Sequence, residues 1–232
     1  MTYSIAAYDP IHHQFGIAVQ SHSLACGSQV PWVESGVGAI ATQARGNASF
    51  GYLGLAMLRV GLSAIQALDA LVASDLEAEI RQVAIVDTQG NVAVHTGQKC
   101  IPFANHQISA HYSVQANLME RDTVCAAMAE AFEATAGDLA ERMMAALRAA
   151  QSEGGDIRGQ QSAALKIVSA QASRPWDRVF DLRVDDHAQP IEALQRLVAI
   201  ARSSHHQKQA LKLLEIINSL KLQKNLIKPF NG

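Results

Sequence analysis

Threonine 2 is small enough for the initiator methionine to be removed ahead of it. With Met1 gone, one residue would hold both a hydroxyl nucleophile and an α-amino base, and such an amine titrates at about 7.7–8.0. An amine poised there takes the hydroxyl proton as Oγ attacks an acyl carbon, the threonine–amine variant of the catalytic triad. Two further polar clusters stand out against apolar surroundings. Gln115-Ala116-Asn117 sits in a strand-like run, where alternation puts both amides on one face. There an NH₂ group donates to an oxyanion, or the two amides satisfy each other in the core. The segment Gly154-Gly155-Asp156-Ile157-Arg158-Gly159-Gln160-Gln161-Ser162 offers an Asp156–Arg158 pair. The pair anchors the glycine-rich loop, or Arg158 grips a substrate carboxylate with its fork; anchoring is the better-supported reading.

Other chemistries are poorly served. Cys26, Cys100 and Cys125 are few, odd in number and widely spaced, without CxxC or Cys/His ligand spacing, so neither a disulfide framework nor a zinc site is expected. A Cys26–His22 nucleophile pair is conceivable, but a free cysteine among small and apolar residues is usually a buried hydrophobe. His12, His13, His22, His95, His106 and His111 fit no metal-binding motif. Asp181, Arg183, Asp185, Asp186 and His187 read as salt bridges at a sheet edge or as a cation site. Gly36-x-Gly38-x-x-Ala41 matches the dinucleotide fingerprint only as a pattern, since it lies within a strand-like run instead of between strand and helix. Neither metal nor cofactor is expected.

These side chains need elements to position them. Thr2 to Tyr8 and Phe15 to Gln20 read as strands joined through Asp9-Pro10, an antiparallel hairpin centred near residue 11. Paired residues should then sum to about 22, give or take two, which sets Thr2 opposite Gln20 and leaves Ser21, His22 and Ser23 just past the sheet end. Gly36 to Gln43 reads as a small-residue strand, followed by helices over 50–60 and from the Ser63 cap. Val83–Val86 and Val92–Val94 flank a hairpin turn, and His111 to Leu118 is another strand. Helices near 121–135 and 138–151 follow, the second capped by Asp138. Ser162 to Ser169 and Val179 to Val184 return to strand, and Pro190 opens a helix through about Arg202. Strands arriving in groups favour antiparallel sheets over a doubly wound fold.

Composition limits partners and compartment. The 232 residues carry 19 basic and 21 acidic side chains, 49% hydrophobic and 17% charged residues. This excludes a disordered chain and a membrane bundle and gives no footprint for nucleic acid. Residues 203–232 hold five lysines and one glutamate, so of the net −2 the first 202 residues carry −6. The basic stretch also shows an amphipathic Leu/Ile pattern, expected to be a helix that docks on the body or on a second copy. The opening residues have no secretory signal pattern and the cysteines are unpaired, so a reducing cytoplasm is expected.

Thr2-Tyr-Ser-Ile-Ala-Ala, Gly16-Ile-Ala-Val-Gln20-Ser21, Val30-Pro-Trp32, Gly36 to Gln43 and Arg81 to Asp87 form a collinear set. Val114-Gln-Ala-Asn117-Leu, Gly154 to Ala164 and Asp181 to His187 extend it. Over about residues 2–200 the chain thereby resembles the domain-of-unknown-function 1028 family, which is similar to N-terminal nucleophile (Ntn) hydrolases. The family's usual Gln-Gly-Asn reads Gln115-Ala116-Asn117, and its usual Lys after Gln20-Ser21 is His22. The resemblance implies an α+β fold: a four-layer αββα sandwich of two mostly antiparallel sheets flanked by helices, here with an extra C-terminal helix. It divides the chain into an Ntn-hydrolase-like domain at 1–202 and a basic tail at 203–232. It also implies hydrolysis of a small amide or peptide-like substrate. In that reading Thr2 and Asn117 are the catalytic residues, with Gln20, Ser21, Gln43 and Gln115 orienting amine or substrate and Asp156 and Arg158 holding the site loop or a substrate carboxylate. The alternative is a non-catalytic small-molecule-binding or assembly protein with the same fold. A homo-oligomer is expected in either case.

Overall fold

The computed structural model describes residues 2–171, 174 and 176–204. Four strands come first: β1 (Thr2–Asp9), β2 (Gln14–Ser21), β3 (Pro31–Glu34) and β4 (Gly38–Ala44). Helices α1 (Ala48–Arg59) and α2 (Ala64–Ser74) follow, then β5 (Arg81–Val86), β6 (Val92–Thr96), β7 (Asn105–Ile108) and β8 (Tyr112–Asn117). Helices α3 (Val124–Ala134) and α4 (Leu139–Ser152), strands β9 (Ser162–Ser169) and β10 (Phe180–Val184), and a helix over 190–204, α5, complete the described chain. One compact unit ends at Gln195 and a second begins at Arg196. The amphipathic pattern expected beyond residue 204 lies outside the described residues.

Two antiparallel sheets face each other. One has the order β10-β9-β2-β1-β8-β7 and the other β3-β4-β5-β6. Between them Phe15, Ile17, Val19 and Ala6 meet Ala39, Ala41, Ala84 and Val86; the alanines let the sheets approach closely. On the outside of the four-stranded sheet, Ile40, Val83 and Ile85 bury against Phe50 and Leu58 of α1 and Leu68 and Leu71 of α2. Helices α3 and α4 cover the six-stranded sheet. A Cβ on Gly16 would come 2.8 Å from the Met143 terminal carbon, and Tyr112 stacks on Phe132 at 4.6 Å. The result is the four-layer αββα sandwich expected from the sequence. Ser63 and Asp138 both cap their helices through complete capping boxes with Gln66 and Glu141.

Strands β3 and β7 have no counterpart in the sequence reading. Each is four residues long, one opening on a proline and the other polar and largely exposed at a sheet edge. The hairpin differs by one residue from its central expectation. Thr2 pairs with Ser21 and Tyr3 with Gln20, so partners sum to 23, and Ser21 belongs to the strand. Because side chains alternate across a sheet, that single step decides which residues share a face.

Candidate active site

Strand β1 begins at the centre of the six-stranded sheet, and Thr2 lies between Ser21 of β2 and Asn117 of β8. All three project into the space between the sheets, as Ala6, Phe15, Ile17 and Val19 do farther along. Thr2 is 5% exposed and lines a cavity of about 290 Å³ together with Ser21, Cys26, Gln43, Gly46 and Arg158. Its Oγ1 donates to Ser21 Oγ at 3.1 Å. The Gly46 N–H has no hydrogen-bond partner among the described residues. Ala48, the first residue of α1, borders the same space; its N–H has no partner within the helix, whereas those of Ser49 and Phe50 are taken by the Asn47 side chain and carbonyl.

Behind Thr2 runs a buried chain of hydrogen bonds that ties the two sheets together. Ser113 Oγ donates to Gln115 Oε1 (3.0 Å), Gln115 Nε2 to Ser4 Oγ (2.6 Å), and Ser4 Oγ to Gln43 Oε1 (2.6 Å). Gln43 Nε2 donates across to Gln82 Oε1 at 2.8 Å, to the Gln115 carbonyl at 3.2 Å and to the Thr2 carbonyl at 3.4 Å. Gln82 Nε2 spends its hydrogens on Thr96 Oγ1 and on the carbonyls of Asn105 and Ala116. Every NH₂ faces an acceptor, so the network itself determines how each amide is turned. An unpaired buried amide costs roughly 1–3 kcal/mol, so a wired network of this kind holds the sheets in one register.

Asn117 donates from Nδ2 to the Thr2 carbonyl at 3.3 Å and to Gln82 Oε1 at 2.8 Å, which uses both of its hydrogens. The oxyanion role expected for it therefore lacks a donor. Its Oδ1, by contrast, is buried with no partner among the described residues. What Asn117 holds in reserve beside Thr2 is an acceptor.

Gln20 is the expected site residue that the fold carries away. The register places it opposite Tyr3, on the same side of β2 as Gly16 and therefore against the helices. Its amide is fully buried, and neither Nε2 nor Oε1 has a partner among the described residues. Ser21, Gln43 and Gln115 do come together with Thr2, Gln115 through the amide chain. Gln82 belongs to that group and escaped the sequence reading, because Arg81–Val86 reads as an apolar strand; alternation with Ala84 and Val86 was the available signal.

Asp156 is buried and accepts from the Arg158 backbone N–H (3.0 Å), Arg158 Nε (3.0 Å), Arg158 Nη2 (2.6 Å) and the His22 backbone N–H (3.3 Å). Burial pushes its carboxyl up and the Arg158 guanidinium down, and the fork between them keeps the loop closed on the sheet end. Arg158, 37% exposed at its side chain, also lines the Thr2 cavity. The Cys26 thiol is pushed up to about 11 by burial, so it stands protonated in the cavity wall and is not a thiolate nucleophile. Near β10 the acidic stretch forms ion pairs, Arg178–Asp181 at 2.9 Å and Arg183–Asp185 at 3.0 Å. No group of three or more potential metal ligands occurs among the described residues, and no helix there is long and apolar enough to cross a membrane.

A profile of a family of unknown function, DUF1028, matches residues 2–194. The crystal structure of protein SPO2555 from Silicibacter pomeroyi, a DUF1028 protein, is 32% identical over 86% of this chain and 85% of that one, with a TM-score of 0.79. Weaker similarity extends to BPH from Thiobacillus denitrificans in complex with epoxomicin (14% identity, 74% of this chain and 100% of that one, TM-score 0.42). Anbu from Hyphomicrobium sp. strain MC1 is 10% identical over 99% of this chain and 100% of that one, with a TM-score of 0.44. No curated protein sequence matches the chain.

Proposed function

The chain belongs to the DUF1028 family, and we propose that it is an amide-bond hydrolase whose nucleophile is Thr2, exposed by removal of Met1. One observation carries this reading: the hydroxyl of the second residue borders a polar cavity at a sheet end, already hydrogen-bonded to Ser21. The freed α-amine would be the donor that satisfies Asn117 Oδ1. Thr2 Oγ attacks the substrate carbonyl carbon while its proton passes to the amine, directly or through water. The oxyanion would form next to the N–H groups of Gly46 and Ala48, at the partly positive start of α1. Collapse breaks the C–N bond and returns the proton to the leaving amine; water, deprotonated by the same α-amine, then hydrolyses the Thr2 ester.

Intact mass together with a β-lactone acylating probe tests this. Loss of Met1 and one adduct, mapped to the Thr2 peptide and absent in Thr2→Ala, are expected. Retention of Met1 on nearly all molecules, or labelling that survives in Thr2→Ala, overturns the hydrolase and leaves a binding protein of the same fold.

The partner is a small amide or peptide-like molecule, and a second copy of the chain covers the outer face of α1. Tyr52, Leu53, Ala56 and Val60 form an exposed stripe there, Tyr52 being 67% and Val60 77% exposed, with Ile65 beside it. The only charged residue of the helix, Arg59, is engaged by Glu34. The patch is on the order of 400 Å², about half of what one side of a standard interface contributes. A two-fold axis at the small Ala56 would set Tyr52 of each copy against Val60 of the other, a self-complementary match.

A further inference from the structure

The Thr2 cavity shares one of its walls. Beyond Ala44 lies a second cavity of about 290 Å³, lined by Ala44, Arg45, Ile80, Lys99, Cys100 and Ile101. Ala44 lines both, and the consecutive residues Arg45 and Gly46 line different ones. The dividing residue has a left-handed backbone, φ 67°, without being glycine, a strained conformation of the kind that clusters at functional sites.

The second cavity has two cations and no acid among its lining residues. Arg45 and Lys99 are exposed, and neither forms an ion pair among the described residues. Arg81, which follows Ile80, is by contrast engaged: it bonds Asp75 and Glu77 and donates to the Arg45 carbonyl. Glu79 lies close by: its backbone carbonyl accepts from the Lys99 N–H and its carboxylate helps raise the Cys100 thiol, but it is not among the residues that line the space. The Cys100 thiol donates to the Arg81 carbonyl and is pushed up by burial, so it brings no negative charge. Ile80 and Ile101 supply apolar walls.

We propose that this cavity is the specificity subsite of the Thr2 centre and that it takes the side chain of an acidic residue in the substrate. The methylenes would lie against Ile80 and Ile101 and the carboxylate between the Arg45 guanidinium and the Lys99 ammonium. The assignment as a substrate subsite rests on the Thr2 reading; the carboxylate recognition does not need the chemistry. Charge-assisted hydrogen bonds to a carboxylate are strong enough for a clear selectivity.

Calorimetric titration of the full-length Thr2→Ala protein, which cannot be acylated, tests it at constant ionic strength. The probes are N-acetylglutamic acid α-amide, its neutral glutamine counterpart and inorganic phosphate. The glutamyl probe is expected to bind about tenfold or more tightly than the glutaminyl one. In the Arg45→Gln/Lys99→Gln double variant that preference should fall to within about twofold. Equal binding of the two probes, or a preference that survives the double variant, overturns the subsite. Phosphate that displaces the glutamyl probe at equal concentration shows a general anion site and overturns the acidic-residue assignment. A preserved preference in a protein whose wild type takes no label at Thr2 would sink the hydrolase while leaving the carboxylate site standing.

Discussion

At the scale of single residues, the candidate centre depends on which atoms are already committed. Both Asn117 hydrogens are engaged and its oxygen is not, so the residue suits an amine better than an oxyanion. Probe labelling in wild type should therefore rise with pH through the amine pKa, near 8. An acceptor on the ammonium raises that pKa, so Asn117→Ala should move the midpoint of the labelling profile to lower pH; an unmoved midpoint removes the acceptor role. Cys26→Ala should leave labelling intact, since a thiol held near 11 is protonated at neutral pH. Thr2, Ser21, Gln43, Gln115, Asp156 and Arg158 were all legible as polar residues in apolar or glycine-rich context. Their roles were not. Whether Asn117 presents a donor or an acceptor depends on Gln82 and Gln43, which only the facing of two distant strands brings near.

Among the elements, caps and turns were the most legible features, because their chemistry is local. Asp138 and Ser63 cap as their sequences suggest, and Asp138→Ala should cost about 1 kcal/mol in a denaturant titration. Edge strands β3 and β7 were illegible, since four-residue segments, one opening on a proline and the other polar, take their form from a neighbour. Gly51 shows how context overrides propensity. Alanine there would gain about 1 kcal/mol in a free helix, yet its Cβ would lie 2.2 Å from the Trp32 ring. Trp32 is itself held at 4.4 Å by Tyr52, so overpacking at about 1–3 kcal/mol should win and Gly51→Ala should unfold at lower denaturant. The link from α2 into β5 is fastened by Arg81, whose hydrogen bond holds the Asp75 carboxyl below the usual carboxylate range. A depressed folded pKa gives stability that is present above the unfolded value, about 3.9, and is lost as pH falls through the folded one. The stability gap between wild type and Asp75→Asn should accordingly shrink below about pH 4, as followed by urea melts across pH.

For the whole molecule, grouped strands and helices announced two covered sheets, and that expectation carried the architecture. It left open which face would assemble. The apolar stripe of α1 predicts a dimer in sedimentation velocity, and Leu53→Glu/Val60→Glu should run as a monomer that keeps the wild-type circular-dichroism spectrum; an unchanged sedimentation coefficient would reject that face. The β1–β2 register has a consequence of its own. The turn at residues 10–13 lies about 25 Å along the strands from Thr2, yet its length decides whether a hydroxyl or an amide stands across from the nucleophile. A lineage that gained one residue in that turn would set Gln20 across from Thr2 in place of Ser21, and one that lost a residue would set His22 there, whereas a change of two would preserve the facing. Loop length far from the chemistry is thus under the same constraint as the reacting side chains, and it enters by parity.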